Sequence, residues 1–306
     1  MTQRRRLCGR VFWRDTLYGY LFIGPAVLGL LFLTLGPMVA SAYISLTSYP
    51  LLAPPKFVGF RNYVELFTQD KLFVQSLKVT FGYAGMSLPL GLILSLLAAI
   101  LLNQKVRGIP VFRTCFYIPN IVPAVASAVL WGWLLNPDWG LVNAILKALN
   151  LPTSRWLSEP GSALPSLVLI SLWGIGGTMI IYLAGLQSVP TEFYEAAKID
   201  GSNTLHLFRF ITLPLLTPTI FFNLVMGLIS TFQYFAPVYI LTGGKGGPVY
   251  STYFYNLNLY EKAFRWLQMG YASAMAWVLF VIVLSFTLLV FRSSSVWVYY
   301  EGEVRR

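Results

Sequence analysis

One histidine (His206), two cysteines (Cys8 and Cys115) and 11 acidic residues are what this 306-residue chain offers for proton transfer, nucleophilic attack or metal ligation. One imidazole and two distant thiols cannot build a three- or four-ligand metal set. His206 stands alone in a polar segment and reads as a solvated or packing residue. The run Gly243-Gly244-Lys245-Gly246-Gly247 lacks the G-x-x-x-x-G-K-[ST] spacing that cradles phosphate, so it reads as a turn. Uncharged hydrogen-bonding chemistry is better represented. Asn223, Gly227, Ser230, Thr231 and Tyr234 recur at steps of three and four, which places them on one helix face, beside Gln233 and Pro237. Trp173, Gly174, Gly177 and Thr178 are spaced similarly. Asn120 lies between Pro119 and Pro123, where interrupted backbone pairing would expose carbonyls to a cavity. Such residues can line a path for a polar solute; small and polar residues also hold membrane helices together, so the spacing fits either role.

The elements that carry these residues follow from where charge is missing. Hydrophobic residues make up 57% of the chain and charged residues only 11%, against about 25% in soluble domains. A chain so poor in charge cannot cover a water-facing surface, which excludes an ordinary soluble enzyme. Six windows carry no charge: 16–55, 79–104, 114–137, 160–191, 210–244 and 266–291. Each is long enough for the roughly 20 apolar residues that cross a bilayer as a helix, and none alternates like a barrel strand. Spans are therefore expected at 18–46, 75–102, 114–135, 164–186, 217–241 and 269–291, in an all-α polytopic membrane protein with six transmembrane helices. Ala40-Ser41-Ala42 resembles a signal-peptidase site, but the preceding apolar run exceeds the roughly 7–15 residues of a signal peptide, so the first span is expected to remain uncleaved.

The net charge of +11 bears on orientation and gives no evidence of a nucleic-acid partner. Arg4, Arg5, Arg6, Arg10 and Arg14 precede the first span, and the inner set continues with Lys105, Arg107, Arg113, Lys198, Arg209, Arg292, Arg305 and Arg306. This bias places both termini in the cytoplasm. It divides the chain into a cytoplasmic segment 1–17, a membrane domain 18–291 and a cytoplasmic tail 292–306. Cys8 and Cys115 then lie at the cytoplasmic side, consistent with free thiols. The outer loops 47–74, 136–163 and 242–268 are too short for separate domains. The inner loop 187–216 reads as a short helix with Thr191 as N-cap and Glu192 in its first turn, a turn at Asp200-Gly201, a second N-cap at Ser202 and a stop at Pro214.

That loop carries Glu195-Ala196-Ala197, three residues, Gly201, nine residues, then Ile211-Thr212-Leu213-Pro214. The pattern resembles the EAA motif of permease subunits in binding-protein-dependent ABC importers. Phe57 through Tyr63, Phe112-Arg113 through Pro119, Trp131 with Gly140 through Asn143, and Leu241 through Gly244 extend the likeness to the carbohydrate-importer branch, of the maltose-permease MalF or glycerol-phosphate UgpA type. The resemblance implies a type I ABC importer permease fold in a bacterial or archaeal inner membrane, with no enzymatic activity or cofactor of its own. It implies a second homologous permease, a cytoplasmic ATPase dimer and an extracytoplasmic solute-binding protein as partners. Glu195, Ala196, Ala197, Asp200 and Gly201 would form the coupling helix and turn that dock on the ATPase. Small alanines allow close approach, Glu195 can pair with a basic group, and Gly201 permits a tight turn.

In the maltose-type relatives, matching turns of spans three, four and five line a sugar site. This implies a sugar pathway past Asn120, Trp173, Gly174, Gly177, Asn223, Gly227, Ser230, Thr231 and Tyr234. Sugars suit such a lining because hydroxyls need hydrogen-bond partners and C–H faces stack on rings. Gly227, Ile170 and Ala124 depart from the maltose-type lining, which leaves the particular sugar open. Trp131 fits an interfacial anchor as well as a ligand contact. Two other classes stay in view: a secondary carrier or channel, which would work without an ATPase, and an intramembrane enzyme, for which the spans carry no acid, histidine or paired cysteine.

Overall fold

The computed structural model describes residues 2–104 and 106–299, with side chains from Asp15 onward. The side chains of Arg4, Arg5, Arg6, Cys8, Arg10, Arg14, Lys105, Arg305 and Arg306, used above for orientation and thiol placement, lie outside the described residues. In chain order the helices are α1 (Thr2–Gly29), α2 (Gly36–Ser45), α3 (Arg61–Thr68), α4 (Lys71–Leu102), α5 (Ile109–Ile121), α6 (Ala124–Leu134), α7 (Leu141–Ala148), α8 (Pro160–Leu172), α9 (Gly176–Gln187), α10 (Thr191–Ile199), α11 (Thr204–Leu207), α12 (Leu213–Phe232), α13 (Ala236–Thr242), α14 (Tyr255–Tyr260) and α15 (Met269–Trp297). Wider π-helical turns occupy Leu30–Leu35, Phe208–Thr212 and Glu261–Arg265. The one sheet among the described residues is a hairpin of β1 (Thr47–Ser48) and β2 (Lys56–Phe57), antiparallel, pairing Thr47 with Phe57 and Ser48 with Lys56.

Four apolar stretches are continuous enough to cross a bilayer: Asp15–Ser45, Lys71–Leu102, Thr204–Thr242 and Met269–Trp297. The other two expected spans are broken. Ile109–Ile121 and Ala124–Leu134 meet at 101°, and Pro160–Leu172 and Gly176–Gln187 meet at 48°. Counting each bent pair as one span gives the six expected. The sharper bend has a local cause. Val122 precedes Pro123 and takes an extended conformation (ψ 127°), as does Pro123 itself (ψ 138°), because the proline ring disfavours helical geometry in the residue before it.

The chain divides into two units. The first comprises Met1–Glu65 and Lys262–Trp277. Here Asn62 closes the end of α2, its Nδ2 donating to the carbonyls of Ser45 at 2.8 Å and Thr47 at 2.9 Å. The first acceptor ends α2 and has no intrahelical donor, and the second lies just beyond it in β1. The Tyr63 hydroxyl donates to Ser45 Oγ at 2.8 Å, and Gly270 lies so close to the Thr47 carbonyl that no side chain fits there.

The second unit, Leu66–Glu261 with Val278–Arg306, is organised on α4. Asp70 caps its start by accepting from the Leu72 and Phe73 amides at 2.9 and 3.1 Å. Arg113 closes the other end, with Nη2 2.8 Å and Nε 3.3 Å from the Leu102 carbonyl, where a cation also suits the helix dipole. One buried cluster contains Tyr83, Leu167, Val238, Phe254 and Leu257; another, toward the 187–216 loop, contains Ala99, Met179, Tyr182, Leu186 and Leu216. Several buried hydroxyls are satisfied by the backbone of their own helix: Thr80 donates to Ser76 O at 2.8 Å and Ser166 to Ser162 O at 2.8 Å, an arrangement suited to a site where no water reaches. Beyond α13, Tyr253 donates to Glu261 at 2.7 Å. Burial, followed by the adjacent carboxylate, holds its phenol above the usual tyrosine range, so it remains a donor. Gly243 through Gly247 form the expected turn, with Gly243 left-handed at the end of α13.

Candidate functional site

A cavity of about 320 Å³ lies along α4 between the two buried clusters. Gly174, Thr178, Asn223, Gly227, Ser230, Thr231 and Tyr234 line it. The whole face read from α12 and the turn after it is therefore present. Ser230 and Thr231 both donate to the Gly227 carbonyl, at 3.0 and 2.6 Å, so their oxygens keep lone pairs for a solute donor. Asn223 Nδ2, Ser87 Oγ and Tyr234 Oη are buried without a hydrogen-bond partner. Unpaired buried donors cost of order 1–3 kcal/mol each, and a hydroxylated solute would relieve that cost.

Three of the expected pathway residues line other surfaces. Asn120 is not on the cavity wall. With its amide oriented to pair both atoms, Nδ2 donates to Gly174 O and Oδ1 accepts from Gly177 N, each at 2.9 Å. It thus ties α5 to the break between α8 and α9, and satisfies one of the free amides at the start of α9. Gly177 is its partner and lies outside the lining. Gly176 is pressed against the Phe116 carbonyl so closely that a Cβ would overlap it. Trp173 stacks edge-on with Trp131, ring centroids 5.9 Å apart, and is not among the residues that line the cavity. For these residues the structure favours the role of packing between helices.

One wall was missed in the sequence. Tyr83, Ser87, Gly91 and Ser95 of α4 line the cavity at strict steps of four, a small and polar stripe whose repeat is visible in the sequence but whose facing is not. Ser95 also reaches the break in span four, donating to Gly91 O at 2.6 Å and Ile175 O at 3.3 Å. Ser171 adds a further hydroxyl. At the Tyr83 end, the rings of Tyr83 and Tyr234 stack at 4.5 Å with planes 24° apart, and Phe254 packs against both.

The 187–216 loop differs from its expected caps. Thr191 is the first residue of α10 and Pro190 is the N-cap, its extended ψ of 135° setting the helix entry. Asn203, not Ser202, caps α11, accepting from the His206 amide at 2.8 Å. Pro214 does not stop the helix. The π-turn Phe208–Thr212 precedes it, with the Leu213 amide reaching back to Phe208 O, and the missing proline N–H is accommodated at the start of α12. The turn after α10 is as expected. Gly201 has φ +81°, and the Gly201 and Ser202 amides return to Lys198 O at 3.1 Å and Ala197 O at 2.9 Å, a glycine-dependent helix stop. Glu195, Ala196, Asp200 and Gly201 are exposed and Ala197 is partly so. Ile199 is 86% and Leu205 74% exposed, an apolar surface beside polar ones.

Comparison with known proteins bears on the family and the fold. The family described as "Binding-protein-dependent transport system inner membrane component" matches residues 91–295. The probable ABC transporter permease protein YesP of Bacillus subtilis is 47% identical over 292 residues, covering 95% of this chain and 94% of that protein. The trehalose/maltose transport system permease protein MalF of Thermococcus litoralis is 35% identical, covering 92% and 95%. The lactose transport system permease protein LacF of Rhizobium radiobacter is 36% identical, covering 88% and 91%. In fold, a chain from the crystal structure of a bacterial alginate ABC transporter in complex with an alginate pentasaccharide-bound periplasmic protein superposes with a TM-score of 0.78 at 24% identity, covering 93% of this chain and 96% of that one.

Proposed function

The chain belongs to the binding-protein-dependent transport system inner membrane components, transport subunits rather than enzymes, and from that premise we propose that it passes a sugar or sugar-like solute into the cytoplasm. ATP hydrolysis on a separate subunit supplies the energy. A pair of ATPase subunits receives α10, a second homologous permease completes the pathway, and an extracytoplasmic binding protein delivers the solute. Both termini lie in the cytoplasm, flanking the membrane domain 18–291.

The observation that carries this reading is the pairing of two features on one helix run. The stretch Thr204–Thr242 begins beside the exposed helix α10, and midway it presents Asn223, Gly227, Ser230 and Thr231 to the cavity. Ile199 and Leu205 support docking, because exposed apolar side chains next to Glu195 and Asp200 suit a protein groove with basic margins. Uncharged amides, hydroxyls and the Tyr83–Tyr234 ring pair support a polyhydroxylated solute. Relatives named for trehalose/maltose and lactose transport support the sugar class.

Co-expression with candidate ATPase, permease and binding-protein partners, followed by copurification and solute-stimulated ATP hydrolysis over a panel of trehalose, maltose and lactose, tests the proposal. Stimulation by one sugar through its binding protein is expected. Uptake that persists in vesicles free of ATPase would place the chain among carriers or channels. Reporter fusions at each terminus test the orientation; periplasmic activity at either would reverse it.

A further inference from the structure

We infer that the Tyr194–Thr212 hydrogen bond is the positioning contact through which displacement of α10 turns the cavity face of α12. This deepens the importer reading above and rests on it. The two hydroxyls are 3.0 Å apart. Among the described residues it is the only side-chain hydrogen bond that leaves α10. Tyr194 and Ala197 are the partly buried residues of α10, and of the two only Tyr194 has a polar side-chain group to turn inward. Thr212 is 8% exposed and closes the π-turn Phe208–Thr212, its hydroxyl also within 3.4 Å of the Leu207 carbonyl.

What lies on either side of this contact gives it leverage. Before it, α11 is four residues long and joined to the π-turn directly. After it, the helix runs from Leu213 to Phe232 and holds the cavity lining. At about 1.5 Å per residue, Ser230 lies about 27 Å along the axis from Thr212. A π-turn holds one residue more per turn than an α-turn, so interconversion of the two rotates and shifts everything beyond it by about one residue. Thr212 sits where that register is set. A pull on Tyr194 therefore acts on the pliable segment, and the continuous helix beyond delivers the change to Asn223, Gly227 and Ser230. Tyr194 touches no solute in this scheme and acts through Thr212.

The test uses the complete complex of permeases, ATPase and binding protein in proteoliposomes, comparing Tyr194→Phe, Thr212→Val, the double variant and Thr212→Ser. The readouts are ATPase copurification and solute taken up per ATP hydrolysed. Tyr194→Phe and Thr212→Val should each retain the ATPase and lower uptake per ATP by about fivefold, the ratio matching one hydrogen bond of ordinary net strength. The double variant should be no worse than Thr212→Val alone, because both substitutions remove the Tyr194–Thr212 bond and only Thr212→Val also removes the longer contact with Leu207 O. Thr212→Ser, which keeps the hydroxyl, should restore coupling. Normal coupling in both single variants, additive losses in the double variant, or failure of serine to rescue would overturn the inference. Loss of the ATPase from Tyr194→Phe would overturn it too, by making the residue part of docking. A wild-type chain that transports with no ATPase would instead overturn the importer reading, and this one with it.

Discussion

Helices α4 and α12 form facing walls of one cavity, yet they are anchored differently at the end nearest the 187–216 loop. On α4 the α-helical pattern is unbroken to Leu102, whose carbonyl is held twice by Arg113. Nearby, Asn120 and Ser95 pin the break in span four. By contrast, α12 is entered through a π-turn, and its link to α10 is one hydroxyl pair. One wall is thus held at its end by several bonds, while the other rests on a pliable turn. On the first wall Ser95 acts as a structural tie, and the polar residues of the second can act as moving parts.

Substitutions can break that contrast. The largest effect is expected at Gly176, where any side chain meets the Phe116 carbonyl. Gly176→Val should destabilise the permease by about 3 kcal/mol, measured as a lower thermal midpoint in detergent and lower assembly yield; a wild-type midpoint would show that the break is not locked. Asn120→Leu removes two hydrogen bonds and should cost about 2 kcal/mol by the same measurement, with uptake falling in proportion to assembled protein. If uptake per assembled complex collapses instead, Asn120 belongs to the pathway after all. Arg113→Gln weakens the closure of α4 and should cost about 1 kcal/mol, again without a change in solute preference. On the pliable wall the signature reverses. Gly227→Ala meets only the flexible tip of Leu88, at 2.6 Å from the added Cβ, so assembly should be normal while the solute concentration for half-maximal uptake rises about fivefold. Smallest of all, and on the α4 wall, Ser87→Ala should raise that concentration about threefold, because Ser87 is the α4 hydroxyl left unpaired toward the cavity and one uncharged hydrogen bond to solute is lost. Unaltered kinetics in both variants would remove the solute from this cavity.

How much of this was legible in the sequence depends on whether the cause was local. Gly201 was readable because the stop after α10 demands a positive φ there, and the α12 face because the helix repeat places Asn223, Gly227, Ser230 and Tyr234 in line. Even the bend before α6 was hinted at by Pro123. Its 101° magnitude, and the use of Asn120 as a tie, depend on helices distant in the chain and leave no local mark. The α4 wall shows a different difficulty. Ser87 and Ser95 sit among apolar neighbours, and a serine looks the same in sequence whether it pairs with its own helix, as Ser95 does, or is left unpaired toward a cavity, as Ser87 is. Pro214 misled for a related reason: a proline reads as a stop unless the turn before it is known to widen.

The exposed Cys115, the one free thiol among the described residues, is adjacent to Phe116, whose carbonyl bears on Gly176. A small fluorophore or spin label attached to its sulfur would therefore sit on the lock itself, so the natural chain already carries a reporter at the point expected to stay still. With Cys8 replaced, its signal would remain steady through a transport cycle while a second label on the α12 side changed, providing an internal reference for the motion.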